Sequence, residues 1–98
     1  MDIVKSRKND ITTVRISGRV DTTTSPILEK ELKESFDGCS ELMLDFAEVE
    51  YISSAGLRVL LSAHKVMSRK GGMKLRNVGV DIMEIFQVTG FSEILDIE

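Results

Sequence analysis

Apolar positions along the chain change period several times, and the changes divide it into short strands and amphipathic helices. Met1 to Ser6 predicts a short first strand. Lys8-Asn9-Asp10 is turn chemistry, since Asn and Asp tolerate left-handed backbone and form local side-chain turns. Ile11 to Ser17 alternates, with Thr12, Val14 and Ile16 on one face, and predicts a second strand antiparallel to the first. Gly18 to Thr24 reads as a loop. Ser25-Pro26 then opens a helix, with Ser25 as its cap and Pro26 at the first helical position, where a missing N–H loses nothing. Leu28, Leu32 and Phe36 form its apolar stripe, and Glu29, Lys30, Lys33 and Glu34 cover the other side. Asp37-Gly38 ends it.

Leu42 to Phe46 is a nearly continuous apolar run, which suits a central strand. Ala47 to Ile52 reads as a connection. A helix from Ala55 to Arg69 follows, with Arg58, Ser62, Lys65 and Arg69 as a solvated stripe. Leu57, Val59, Leu60, Leu61, Ala63, Val66 and Met67 fill the buried remainder. Lys65, Arg69 and Lys70 suit the negative end of its dipole, and Gly71-Gly72 stops it. Met73 to Val78 predicts a further strand. Asp81 to Thr89 predicts a short helix carrying Ile82, Ile85 and Phe86, closed by Gly90, with Phe91 making the hydrophobic contact of a Schellman end. Ile94 to Ile97 is a last short apolar element. The order β-β-α-β-α-β-α with a short C-terminal element predicts an α/β domain, a mixed sheet of four to five strands flanked by helices.

Composition narrows what such a domain can do. The chain has 98 residues, enough for one domain spanning 1–98 with a real core. Its net charge of −3 gives no basic footprint, so neither nucleic acid nor an anionic membrane is expected as a partner. No apolar run approaches the ~18–20 residues of a membrane span, and Met1 to Arg7 lacks a signal-peptide core, so no direct membrane insertion is expected. One Cys forbids an internal disulfide and fits a reducing compartment. The expectation is a complete, cytoplasmic, small acidic domain. One His excludes a two-histidine metal site and a Cys/His zinc cluster, and neither metal nor cofactor is expected.

Most catalytic kits are missing. A Ser-His-Asp triad could use only His64. With Ser54 as the cap of this helix and His64 ten residues later, the two lie ~15 Å apart along the axis and ~280° apart in azimuth, so His64 cannot serve Ser54 as a base. There is no Gly-x-Ser-x-Gly elbow and no phosphate-binding glycine loop. Cys39 has no base in reach and reads as a small inert residue. Asp45 could be a phospho-acceptor at a strand end, but no acidic pair between Ile11 and Thr24 is available to hold the metal that such chemistry needs.

Tyr51-Ile52-Ser53-Ser54-Ala55-Gly56-Leu57-Arg58 is different. Two serines stand at the mouth of the most buried helix. They are natural N-caps. A helix start also offers unpaired N–H groups and positive potential, so it tolerates a phosphoryl group without unfolding. Gly56 leaves out a side chain there, which would let a partner approach closely.

This segment resembles the signature of STAS domains, the family of bacterial anti-sigma factor antagonists. Val14 to Asp21, Leu42 to Leu61, Lys74 to Val78 and Val88 to Phe91 resemble further family stretches in order, so the resemblance covers nearly the whole chain. It implies a regulatory binding protein and not an enzyme. The unphosphorylated domain would bind an anti-sigma factor that is also a serine kinase, freeing the sigma factor. Phosphorylation by that kinase would end binding, and a PP2C-type phosphatase would restore it. Aligned on Gly56-Leu57, the acceptor falls on Ser54. Antagonists of the family often carry Asp where this chain has Ser53, which makes Ser53 the second candidate. The implied partner surface comprises Asp21, Thr22, Thr23, Thr24, Ser53, Ser54, Ala55, Gly56, Arg58 and Ser62. Two other functions fit the same helix end. One is docking, without phosphorylation, to another partner such as a lipid-transport ABC complex or a stress-signalling assembly. The other is binding of a nucleotide or small ligand, which the absent phosphate loop disfavours.

Overall fold

The computed structural model describes all residues, 1–98. Strands β1 (Asp2–Lys8) and β2 (Ile11–Val20) form a hairpin. Helix α1 (Ser25–Phe36), β3 (Glu41–Ile52), α2 (Ser54–Met67), β4 (Met73–Arg76) and α3 (Val80–Thr89) follow, then a 3-10 turn (Phe91–Glu93) and β5 (Asp96–Ile97). The five strands lie in chain order, β1-β2-β3-β4-β5. β1 is antiparallel to β2, and every other pairing is parallel. Right-handed crossovers that all step in one direction put the three helices on one face of the sheet. The expected mixed sheet therefore has five strands, the last supplied by Asp96 and Ile97 beside Lys74 and Leu75.

Alternation along the strands divides the two faces. Thr12, Val14 and Ile16 of β2, Leu42, Leu44 and Phe46 of β3, and Met73 and Leu75 of β4 are buried toward the helices. Their apolar members share one cluster with Leu28 and Leu32 of α1, Leu57, Leu60, Ala63 and Met67 of α2, and Ile82 and Phe86 of α3. The Phe46 and Phe86 rings meet at 6.2 Å, tilted by 52°. Gly90 closes α3 in the left-handed conformation, and Phe91 packs against the core as expected. The other sheet face has no helix over it and carries Thr13, Arg15, Asp45, Lys74 and Arg76.

Several boundaries differ from the sequence expectation. Gly18 to Val20 and Ala47 to Ile52, read as loop, are paired strand: Gly18 faces Val49, Arg19 faces Tyr51, and Val20 faces Ile52. Register shifts after Arg15 and after Gly18 interrupt the period-2 alternation and hide the strand signal. β4 stops at Arg76 because Asn77 takes a left-handed φ of 59°. α2 ends at Met67, and Val66, expected in its buried part, is 39% exposed. Ser25 is not the cap of α1. The N-cap position falls on Thr24, with helical backbone, and the Ser25 hydroxyl donates back to the Asp21 carbonyl.

Candidate functional site

The site is assembled where two parallel strands end together. Val20 and Ile52 are register partners, and the Ser53 N–H donates to the Val20 carbonyl at 2.8 Å. The turn after β2 and the start of α2 are thereby held side by side. This brings together the two segments singled out in the sequence, 21–24 and 53–56.

The first segment is a closed hydrogen-bonded turn. The Asp21 carboxylate accepts from the Thr23 and Thr24 N–H groups, each at 3.0 Å. It also accepts from the Thr23 hydroxyl at 2.8 Å and the Thr24 hydroxyl at 3.2 Å. The Asp21 N–H donates to the Thr24 hydroxyl oxygen at 2.8 Å. The Thr23 hydroxyl bond, then the Thr24 N–H, hold the Asp21 carboxyl below the usual aspartate range, with partial burial opposing. Asp21 thus closes the turn ahead of α1, while the Ile27 and Leu28 N–H groups donate to the Thr24 carbonyl and the helix has no side-chain cap. Of residues 21–24, Thr22 alone has an exposed side chain with no hydrogen bond.

The second segment separates the two serines. Ser53 has extended backbone (φ −93°, ψ 174°), and its hydroxyl oxygen accepts from the Gly56 N–H at 3.3 Å. It is the N-cap of α2. Ser54 is the first helical residue and is exposed. Its hydroxyl has no partner within the protein. Gly56 has another role than the one expected. It is buried, and a Cβ there would stand 2.8 Å from Ile52 Cγ1 and 2.8 Å from Val20 Cγ1. Its missing side chain lets α2 close onto the strand ends; it opens no gap for a partner.

Between α1 and α2, next to the Ser54 end, lies an open hollow of about 390 Å³ lined by Thr22, Ser25, Pro26, Glu29, Ala55, Arg58, Val59 and Ser62. Arg58 and Ser62 follow Ser54 at successive turns of α2, and all three are exposed. Arg58 takes part in none of the protein's ion pairs. Arg19, nearby on β2, is committed: its guanidinium lies 4.3 Å from the Tyr51 ring centre and 3.9 Å from Asp21. Pro26 and Glu29 form the α1 wall. Sequence reasoning assigned them only to helix start and solvent face, because one helix's pattern does not say which neighbour its flank will meet.

Other candidate chemistry lies elsewhere. Asp45 sits on the helix-free sheet face with its side chain 5% exposed, 3.8 Å from Arg15 and 3.9 Å from Arg76. It accepts from the Ala47 N–H at 3.0 Å and the Asn77 amide at 3.1 Å. It ties strands together, with cations and not carboxylates around it. Cys39 is buried and free. His64 is half-buried, and its Nδ1 is enclosed without a hydrogen-bond partner. No three His, Cys, Asp or Glu side chains gather where they could hold a metal ion. No helix is long and apolar enough to cross a membrane.

Residues 2–98 match the STAS domain family, and the chain belongs to it. It is similar to the anti-sigma-B factor antagonist of Bacillus subtilis, with 33% identity over 96% of this chain and 86% of that protein. Its fold is similar to that of an anti-sigma factor antagonist from Mycobacterium paratuberculosis (TM-score 0.89, 22% identity, 98% of this chain and 83% of that one). It is also similar to SpoIIAA in its unphosphorylated form (TM-score 0.83, 13% identity, 99% and 88% of the two chains). The phosphorylated form of SpoIIAA, from Bacillus, has the same fold (TM-score 0.76, 13% identity, 99% and 91%).

Proposed function

We propose that this protein is an anti-sigma factor antagonist whose unphosphorylated form binds an anti-sigma factor with serine kinase activity. Binding frees the sigma factor, phosphorylation of Ser54 ends it, and a PP2C-type phosphatase reverses the modification. The protein would be substrate and binding partner, not catalyst, acting in the cytoplasm. The observation that carries the reading is the division of labour between two adjacent serines. Ser53 is used as a cap, while Ser54 is exposed with a free hydroxyl at a helix start.

Physical chemistry supports a switch at that atom. The phosphate would meet the first N–H groups of α2 and the positive end of its dipole, so the fold is retained. Any partner seated over Thr22, Ala55, Arg58 and Ser62 would have to accommodate ~1.5–2 new negative charges. A penalty of ~3–4 kcal/mol weakens binding by a few hundred-fold.

Incubation with the cognate kinase and ATP, read by mass spectrometry, is expected to show one phosphate on Ser54. Ser53→Ala should still be labelled and Ser54→Ala should not. Labelling that survives Ser54→Ala would remove the claim. A tight complex with membrane ATPase components, formed without any labelling, would replace it with the docking alternative.

A further inference from the structure

We infer that Arg58 is the internal counter-ion of a phosphate on Ser54, so that modification withdraws a cation from the docking surface as well as adding a dianion. This rests on reading Ser54 as the acceptor. Ser54 and Arg58 are one helical turn apart on α2, a spacing that puts their Cβ atoms ~5–6 Å from each other. Helical side chains lean toward the N-terminus, so the long Arg58 side chain is aimed over the turn that Ser54 occupies. Both residues are exposed.

The guanidinium is also free to move there. Arg58 has no carboxylate partner anywhere in the structure, whereas Arg19, the other arginine bordering the site, is held by Tyr51 and Asp21. The carboxylate that shares the hollow with Arg58 is Glu29 on α1, and it is paired with Lys33 at 3.6 Å. Arginine presents a planar fork of donors that matches two phosphate oxygens, which lysine does not. The same geometry separates the serines. Ser53 precedes Arg58 by five residues, ~140° further round the helix than a full turn, so a phosphate on Ser53 would be out of reach and would also destroy the cap.

Before modification the docking face presents an unpaired guanidinium. Afterwards that guanidinium is folded back on the phosphate, and the local side-chain charge has changed sign. An acidic group on the partner that used Arg58 loses its contact and faces an anion.

Genetically encoded phosphoserine in place of Ser54 tests this without any kinase. The full chain would be prepared with Arg58, with Arg58→Lys and with Arg58→Gln, and the phosphate followed by phosphorus NMR across its second ionisation near pH ~6. Arg58 should hold the midpoint about half a unit or more below that of Arg58→Gln, with Arg58→Lys between them. Phosphoserine in place of Ser53 should show no dependence on residue 58, and Arg69→Gln should not move the Ser54 midpoint. Circular dichroism of each variant verifies that it is folded. Equal midpoints for Arg58 and Arg58→Gln in folded protein would overturn the inference. Failure of kinase labelling would overturn the choice of acceptor instead, so the two outcomes are separable.

Discussion

Asn77, in the left-handed turn just past β4, donates its side-chain amide to Asp45 on β3 at 3.1 Å. This bond and the Ala47 N–H fix the carboxylate on the helix-free sheet face, between Arg15 and Arg76. Burial tends to raise the Asp45 pKa, but it is outweighed by the Ala47 N–H, the Asn77 amide, Arg76 and Arg15, so the carboxyl stays below its ordinary value. A carboxyl depressed in the folded state adds stability above its unfolded pKa of about 3.9, and that stability is lost as pH falls through the folded value. Urea unfolding followed from about pH 6 to about pH 3 should show declining stability, and Asp45→Asn should flatten the decline. It should not abolish it, because Asp21 and Glu31 are depressed too. Asn77→Gly keeps the turn conformation and removes the bond, costing about 1–2 kcal/mol near neutral pH. An unchanged acid profile in Asp45→Asn would refute this account.

Gly56→Ala should be destabilising although alanine favours helix. The new methyl would have to displace Ile52 and Val20, both buried, and overpacking of this kind costs about 1–3 kcal/mol against a helix-propensity gain of about 1. Gly79→Ala meets no wall: its Cβ has nothing within 4 Å and φ is −70°, so the only cost expected is that of replacing a glycine at the N-cap of α3, about 0.5 kcal/mol. Thermal melts of Gly56→Ala against the parent should show a lowered Tm. A Gly56→Ala protein as stable as the parent would mean that α2 does not sit as closely on the strand ends as described.

The adjacent serines should part company in stability as well as in labelling. Ser53→Ala removes the acceptor for the Gly56 N–H and should cost about 1 kcal/mol, or ~4–8 °C in Tm. Ser54→Ala removes a hydroxyl that bonds to nothing in the protein and should leave Tm within a degree or so. Calorimetry on both variants checks this, and a larger loss in Ser54→Ala would reverse the assignment of cap and acceptor.

Asp21→Ala should loosen the turn without unfolding the domain. Four bonds from Thr23 and Thr24 converge on this carboxylate. The variant should have a lower Tm and faster amide exchange confined to residues 21–25 and the first turn of α1. Its affinity for the partner should also fall, because Thr22 at the rim of the hollow loses its support. Amide exchange that spread to β3, or that did not change, would count against the turn as a local unit.

The helices and the hairpin were readable because stripe, cap and stop residues agree within each segment, as Pro26, Leu28, Leu32 and Gly38 do for α1. The second halves of β2 and β3 were not, because the register shifts offset Glu48, Val49, Glu50 and Tyr51 from simple alternation. At the site, the residue pattern makes Ser53 and Ser54 equal candidates for the cap, and only the family resemblance puts Ser54 first as acceptor; which serine caps depends on where the first helical residue falls. At Gly56 the missing side chain makes room for Ile52 and Val20 of this chain and not for a partner. A sequence records that a side chain is missing but not which wall it would strike. The α1 half of the hollow, Pro26 and Glu29, was missed because nothing local to α1 marks the flank that α2 approaches.

The order of strands across the sheet repeats their order along the chain. Each strand therefore finds its neighbour after a tight turn or a single helical crossover, and no segment has to thread back past one already in place. Loop closure stays short at every step, which favours rapid folding for an α/β topology. A nascent chain leaving the ribosome can add one strand after another to a growing edge. By the time α2 has emerged, both strands that support Ser53 and Ser54 are already available.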